Sequence, residues 1–198
     1  MKWQGEMDGF SEEKLVSKAR KGDVDSFTEL MRRYQERIYK TVFWLTKDHN
    51  DADDLVQEAF LHAYKHLCGF RMKSSFSTWV YRIAVNRTLN FLKKRSKEKN
   101  RIRIPVEDCS ADLVGEKSSL SPEKLSLGKE LREKLDEAIE SLPLAYRASF
   151  VLVVIQGLSH LHAAQVLGCS ENTVSWRMFR ARKMLQKKLL PYLEGEKR

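Results

Sequence analysis

The chain has 198 residues, of which 42% are hydrophobic and 32% charged, with only nine glycines and four prolines. That composition suits a folded, helix-rich protein and argues against a β-sandwich built on many tight turns. A net charge of +9 and a pI of about 9.5 point to an anionic partner, nucleic acid first and an anionic membrane surface second.

In chain order, Ser11 can cap a short helix that ends near Gly22. Phe27, Leu30, Met31, Tyr34, Ile38, Thr41, Val42 and Leu45 recur at helical spacing and predict a long amphipathic helix. A third helix starts at Asn50 or Asp51 and points Leu55, Ala59, Phe60, Ala63, Tyr64 and Leu67 inward. Residues 68–75 (CGFRMKSS) read as a loop, and FSTWVYRIAVNRTLNFLKKR (76–95) as a fourth helix. Residues 96–125 are polar, carry Pro105 and Pro122, and hold no sustained period, so they read as a linker. A structureless stretch of that length argues for two domains. Helices are expected again at Leu131–Leu142, Ala145–Gln156, Ser159–Leu167 and from Glu171 to about Leu190. The fold class is therefore all-α: two small helical domains joined by a flexible linker, with boundaries at 1–95, 96–125 and 126–198.

The last two helices have the grammar of a helix-turn-helix. Gly168 can take the positive φ of a helix stop, and Ser170 can cap the helix that follows. Val174, Met178, Ala181 and Leu185 form an inward stripe. The opposite face carries Asn172, Trp176, Phe179, Arg180 and Lys183, flanked by Arg177 and Arg182. A plain helical hairpin would explain the arginines as solvated charge but leaves two outward aromatics unexplained. Base edges in a major groove can be read by Arg and Asn, thymine methyls by apolar groups, and the backbone fixed by flanking Arg.

Residues 48–58 (DHNDADDLVQE) are an acidic island in the N-terminal half. Asp51, Asp54 and Glu58 share a helical face, with Asp53 and Gln57 beside it. The acids complement the positive end of a helix dipole. Clustered carboxylates could also hold Mg²⁺ in a nuclease, but a carboxylate patch is better suited to docking a basic protein surface. In the fourth helix Thr78, Arg82, Asn86 and Lys93 line a polar-basic stripe bordered by Trp79. Aromatic faces stack on unpaired bases while cations neutralise phosphates, which suits opened DNA. His62 and His66 stand one turn apart with no third ligand, and His160 and His162 are two residues apart, so no metal is expected.

Cys68, Cys109 and Cys169 are odd in number and not at metal-ligand spacing, as in a reducing cytoplasm. The N-terminal MKWQGEMDGFSEEK has no apolar stretch suited to a signal peptide, and the longest apolar run, Phe150–Ile155, is too short to span a membrane.

The words GDVDSF (22–27), DADDLVQEAFLHAY (51–64), FSTWVYRIAVNR (76–87), SLP (141–143), GLS (157–159) and NTVSWRMFRARKML (172–185), in this order and spacing, resemble a bacterial sigma factor of the extracytoplasmic-function group. The resemblance covers nearly the whole chain apart from the termini and the linker. It implies a non-enzymatic, cofactor-free protein that binds core RNA polymerase, recognises the −35 and −10 promoter elements and helps open the DNA. Implied partners are the clamp helices of the largest polymerase subunit, the flap of the second-largest, promoter DNA and an anti-sigma factor that could hold the protein at a membrane; no small-molecule substrate is implied. Carried onto this chain, Asp51, Asp54, Gln57 and Glu58 dock the polymerase. Phe70, Arg71, Lys73, Ser75, Trp79, Arg82, Asn86 and Lys93 take the −10 strand, part of it around a flipped base. Asn172, Ser175, Trp176, Arg177, Phe179, Arg180 and Arg182 read the −35 duplex. The chain departs from the family's usual residues at Met72 and Lys73, at His160–His162, and at Ser175 and Trp176. Its apolar Val151–Ile155 points either to a different packing of the C-terminal domain or to an apolar cover. The alternative to this reading is a free-standing helix-turn-helix regulator.

Overall fold

A computed structural model describes residues 11–72, 74–101 and 124–195. Among them eight α-helices follow one another without a strand: α1 (Glu12–Arg20), α2 (Val24–Thr46), α3 (His49–His66), α4 (Phe76–Arg101), α5 (Lys124–Glu140), α6 (Leu144–Phe150), α7 (His160–Leu167) and α8 (Glu171–Gly195).

Local chemistry sets most of the ends. Ser11 Oγ accepts from the Lys14 N–H, Asp48 Oδ1 from Asp51, Ser159 Oγ from His162 and Ser170 Oγ from Thr173. Each cap satisfies one of the N–H groups that a helix start leaves without a partner. Gly168 stops α7 at φ 64, a backbone region that costs glycine little. Helix α2 stops without a glycine: Lys47 adopts φ 57, and its ammonium lies 3.7 Å from the centre of the Trp44 ring.

In the N-terminal half α2 packs on α1, α3 and α4. Leu30, Ile38, Val42 and Leu45 supply one face of α2, and Ala52, Leu55, Val56, Ala59, Phe60 and Ala63 the facing side of α3. Small alanines at 52, 59 and 63 let α3 approach closely. Glu12 ties three helices together: its carboxylate accepts from the Phe76 N–H at 3.0 Å and from the Tyr34 hydroxyl. An acidic side chain from α1 thus satisfies the start of α4.

Tyr81 on α4 is 1% exposed, and burial pushes its pKa from 10.0 to about 12. Above pH 10 the unfolded chain loses this proton while the folded chain keeps it, so stability falls as pH rises. The contribution present below that range and lost across it is roughly 2–3 kcal/mol. Tyr81→Phe is expected to flatten the loss of stability between about pH 10 and 12, read from urea midpoints; an unchanged slope would contradict this assignment.

The largest differences from the expected helix boundaries are three, one of them the end of α8 at Gly195 rather than about Leu190. Helix α4 runs to Arg101 rather than ending at 95, and α5 begins at Lys124 rather than 131. Ser-Lys-Glu-Lys-Asn-Arg contains no breaker, and Lys94 and Glu98 pair at 3.9 Å across one turn. Most of the expected linker, 102–123, lies outside the described residues, as does Lys73.

Helix α6 continues into one wide turn, Val151–Ile155, with i→i+5 hydrogen bonding; the Gln156 N–H reaches Val151 O at 2.9 Å. Val151 and Leu152 are buried, whereas Val154 is 46% and Ile155 36% exposed. Much of Val151's cover comes from the other half of the chain. Leu45 of α2 and Leu89 and Leu92 of α4 meet Ala148, Val151 and Leu167, and α4 lies along α7. Of the two options raised by this apolar run, the structure takes packing against the N-terminal half.

Candidate functional site

On α3, Asp54 and Gln57 are exposed. Their two acidic neighbours are tied to α4: Arg95 donates to Asp51 Oδ2 at 2.5 Å, and Arg87 to Glu58 Oε2 at 2.9 Å. Asp51 is further held by its N–H to the Asp48 cap. The acidic face is therefore a row in which Asp54 and Gln57 project between two cross-helix ion pairs. Both pairs are at least partly solvated, so each contributes at most about 1 kcal/mol; their main effect is to fix the edge of the patch. Arg95 thus faces this patch.

His62 and His66 lie one turn apart with their rings tilted and their centres 4.3 Å from each other, and burial lowers the His62 pKa. No group of three or more His, Cys, Asp or Glu among the described residues is arranged to hold a metal.

The loop before α4 and the first turns of that helix form the second surface. Phe70 is 6% exposed and stacks on Trp79 at 4.7 Å, with Phe76 edge-on to it. Its ring thus belongs to the core, a correction to its expected place against a base: the three aromatics find each other before they find DNA. Phe70→Ala is expected to cost about 3–5 kcal/mol of stability, the ordinary effect of emptying a buried ring site. An unchanged urea midpoint would show that the ring is not structural. Trp79 is half-buried and offers an edge. Ser75 is occupied as the cap of α4, accepting from the Thr78 N–H at 3.2 Å. Arg71 and Met72 are exposed, and Met72 holds φ 54 without being glycine, a strain of the kind that gathers at binding loops. Arg82, Asn86 and Lys93 are all exposed along α4. The guanidinium of Arg82 lies against the α7–α8 turn, where a Cβ on Gly168 would be 3.7 Å from its Nη2.

The third surface is α8. Val174, Met178, Ala181 and Leu185 are buried, as their spacing predicts. Asn172, Ser175, Trp176, Phe179, Arg180 and Arg182 are exposed on the other side. Trp176 is 53% and Phe179 54% exposed. Cations flank both rings: Arg180 lies 5.8 Å from the Trp176 ring centre and Lys183 4.9 Å from that of Phe179. Tyr146 of α6 meets Trp176 edge-on at 5.7 Å. Arg177 differs from its neighbours. It is half-buried and turned to the helix-turn-helix corner, 3.8 Å from Cys169 Sγ, so it stiffens the turn.

Sequence reading missed three participants here. Arg87 has its partner 29 residues away, and no local pattern announces it. Tyr146 supports Trp176 from another helix. His160 Nδ1 and Ser175 Oγ are 2.9 Å apart, a contact visible only once the two helices are crossed.

This arrangement offers an acidic docking row, a polar-basic stripe with an aromatic edge, and a basic-aromatic helix face set on a helix-turn-helix. The family model for Sigma-70 region 2 matches residues 30–98, and the one for Sigma-70, region 4 matches residues 132–185. The ECF RNA polymerase sigma-E factor of Escherichia coli K12 is 37% identical over 186 residues, spanning 90% of this chain and 94% of that relative. The RNA polymerase sigma-H factor of Pseudomonas aeruginosa is 35% identical over 185 residues, spanning 92% and 95%. Two solved structures share the fold. The sigma factor RpoE in complex with the anti-sigma factor NepR from Bartonella quintana has TM-score 0.62 and 24% identity, over 82% of this chain and 96% of that one. CnrH in complex with the cytosolic domain of CnrY has TM-score 0.64 and 24% identity, over 90% and 96%.

Proposed function

The chain belongs to the sigma factors of the extracytoplasmic-function group, and on that premise we propose how its residues divide the work of promoter recognition. Residues 1–95 act as the unit that docks core RNA polymerase and takes the −10 strand, 96–125 as the connector, and 126–198 as the unit that reads the −35 duplex.

Asp54 and Gln57, framed by Asp51–Arg95 and Glu58–Arg87, present a carboxylate and an amide to the basic face of the polymerase clamp helices. Arg71, Lys73, Arg82, Asn86 and Lys93 hold the opened strand, with the Trp79 edge and the Ser75 cap shaping the start of the helix. Extruding a base costs a few kcal/mol, the order that stacking and hydrogen bonds in a pocket return. On α8, Asn172, Ser175 and Arg180 face base edges, Trp176 and Phe179 supply apolar contact, Arg182 holds phosphate, and Arg177 braces the turn. Beside α8 a groove lined by Tyr146, Met184, Leu190, Lys183 and Lys187 suits an apolar helix such as the polymerase flap. The protein works in the cytoplasm, without catalysis of its own. An anti-sigma factor holds it inactive, as partners of that kind are bound to the Bartonella relative.

The observation that carries this reading is the outward face of α8, where two half-exposed aromatics stand among arginines directly opposite a fully buried stripe. Run-off transcription with core RNA polymerase on genomic DNA is expected to give discrete transcripts that share two spaced promoter elements. Binding of the pure chain to duplex DNA with no specific transcript would instead favour a free-standing regulator.

A further inference from the structure

His160 opens α7 and is half-exposed; Ser175 lies on the exposed face of α8. Their Nδ1 and Oγ atoms are 2.9 Å apart. His162 is engaged elsewhere, its Nδ1 lying 3.0 Å from the cap hydroxyl of Ser159. The polarity of the His160–Ser175 bond matters because a serine hydroxyl has one proton and can aim it in only one direction. If that proton goes to His160, Ser175 meets DNA with lone pairs alone. If His160 donates instead, Ser175 meets DNA with its proton.

We propose that His160 is a positioning residue that fixes this polarity: Nδ1 accepts the Ser175 proton, so that Ser175 selects a base with an amino group at its register, adenine N6 or cytosine N4. The inference rests on the reading of α8 as the duplex-reading helix. Its chemical basis is the Nε2–H tautomer, the one that neutral imidazole favours in water. Water, or a phosphate oxygen in a complex, accepts from Nε2–H and so keeps that tautomer in place. Guanine and thymine instead present O6, N7 or O4 acceptors in the major groove, which a proton-less Ser175 oxygen repels.

The test is selection from a randomised −35 duplex by the holoenzyme. The wild type is expected to favour adenine or cytosine at one position by roughly tenfold, the scale of one neutral hydrogen bond. Ser175→Ala should flatten that position alone. His160→Glu, an obligatory acceptor, should keep the amino preference. His160→Lys, an obligatory donor, should turn it toward guanine or thymine. His160→Gln, whose amide can turn either way, should weaken it, and serves if the lysine variant does not fold. A merely structural role would weaken every position together.

An amino preference that persists unchanged in both the lysine and the glutamine variants overturns the inference, as does a wild-type preference for guanine or thymine at the Ser175-sensitive position. In either case the −35 reading stands. If Ser175→Ala changes no position, Ser175 does not face a base and the inference fails, while the −35 reading through the other α8 residues stands. If the wild-type holoenzyme selects no sequence at all, the proposed function itself fails.

Discussion

Replacing Asp54 and Gln57 together by lysine is expected to weaken association with core RNA polymerase by roughly a hundredfold, or about 2.7 kcal/mol. The two side chains stand exposed on α3, so placing positive charge at both removes nothing from the core, and stability should move by no more than about 0.5 kcal/mol. The choice of residues matters. Reversal at Asp51 would also break its pair with Arg95, and reversal at Glu58 its pair with Arg87. Either change mixes docking with the seating of α4. Titration of labelled protein with core polymerase, beside a urea melt of the same variant, separates the two effects. Wild-type affinity in the double variant would remove the α3 face from the docking surface.

The second large effect concerns the contact between the two halves. Leu45, Leu89 and Leu92 meet Ala148, Val151 and Leu167, and the α7–α8 turn rests on Arg82. A strand approaching Arg82 along α4 encounters that turn. Leu167→Asp or Leu92→Asp puts a carboxylate into an apolar contact, where its desolvation disfavours closure. Each half contributes buried apolar residues of its own, Leu30, Ile38, Ala59 and Val80 on one side and Ile139, Leu152, Val166 and Met178 on the other, to a cluster that spans both. The expected result is separation of the halves with both still folded. Small-angle scattering should report a larger radius of gyration. Affinity for a single-stranded −10 oligonucleotide should rise several-fold, because the open form no longer has to be populated against the closed one. The two substitutions lie on opposite sides of the contact, so the same outcome from both assigns the effect to the contact. An unchanged radius in both would mean that the contact does not hold the halves together.

Much of this molecule was legible before its coordinates. The inward rows of α2, α3 and α8 followed from period, except that Tyr64, expected inward on α3, is 43% exposed; Ser11, Gly168 and Ser170 took the capping and stopping roles their chemistry favours. The outward face of α8 was legible for the same reason: once Val174, Met178, Ala181 and Leu185 are placed inside, Trp176, Phe179 and Arg180 have nowhere else to point. The loop before α4 was less legible. Phe70 is expected at the −10 strand from the resemblance, whereas the Trp79 and Phe76 rings hold it in the core. The start of α4 drew on Glu12, 64 residues earlier in the chain, which no helical wheel reports.

By itself, then, the sequence determined which segments are helical, the caps and stop at Ser11, Gly168 and Ser170, most of each buried side and the family, because those depend on neighbours within a few turns and on ordered words along the chain. The tertiary structure alone decided which acids of α3 are bridged and which project, which hydroxyl meets His160, and that Leu45 and Leu167 join one apolar cluster. Those partners lie 44 residues apart for Asp51 and Arg95 and 15 apart for His160 and Ser175. A charge or a hydroxyl can be recognised one residue at a time, but its partner is set by helix crossing and rotation, and these are fixed only when the whole core closes.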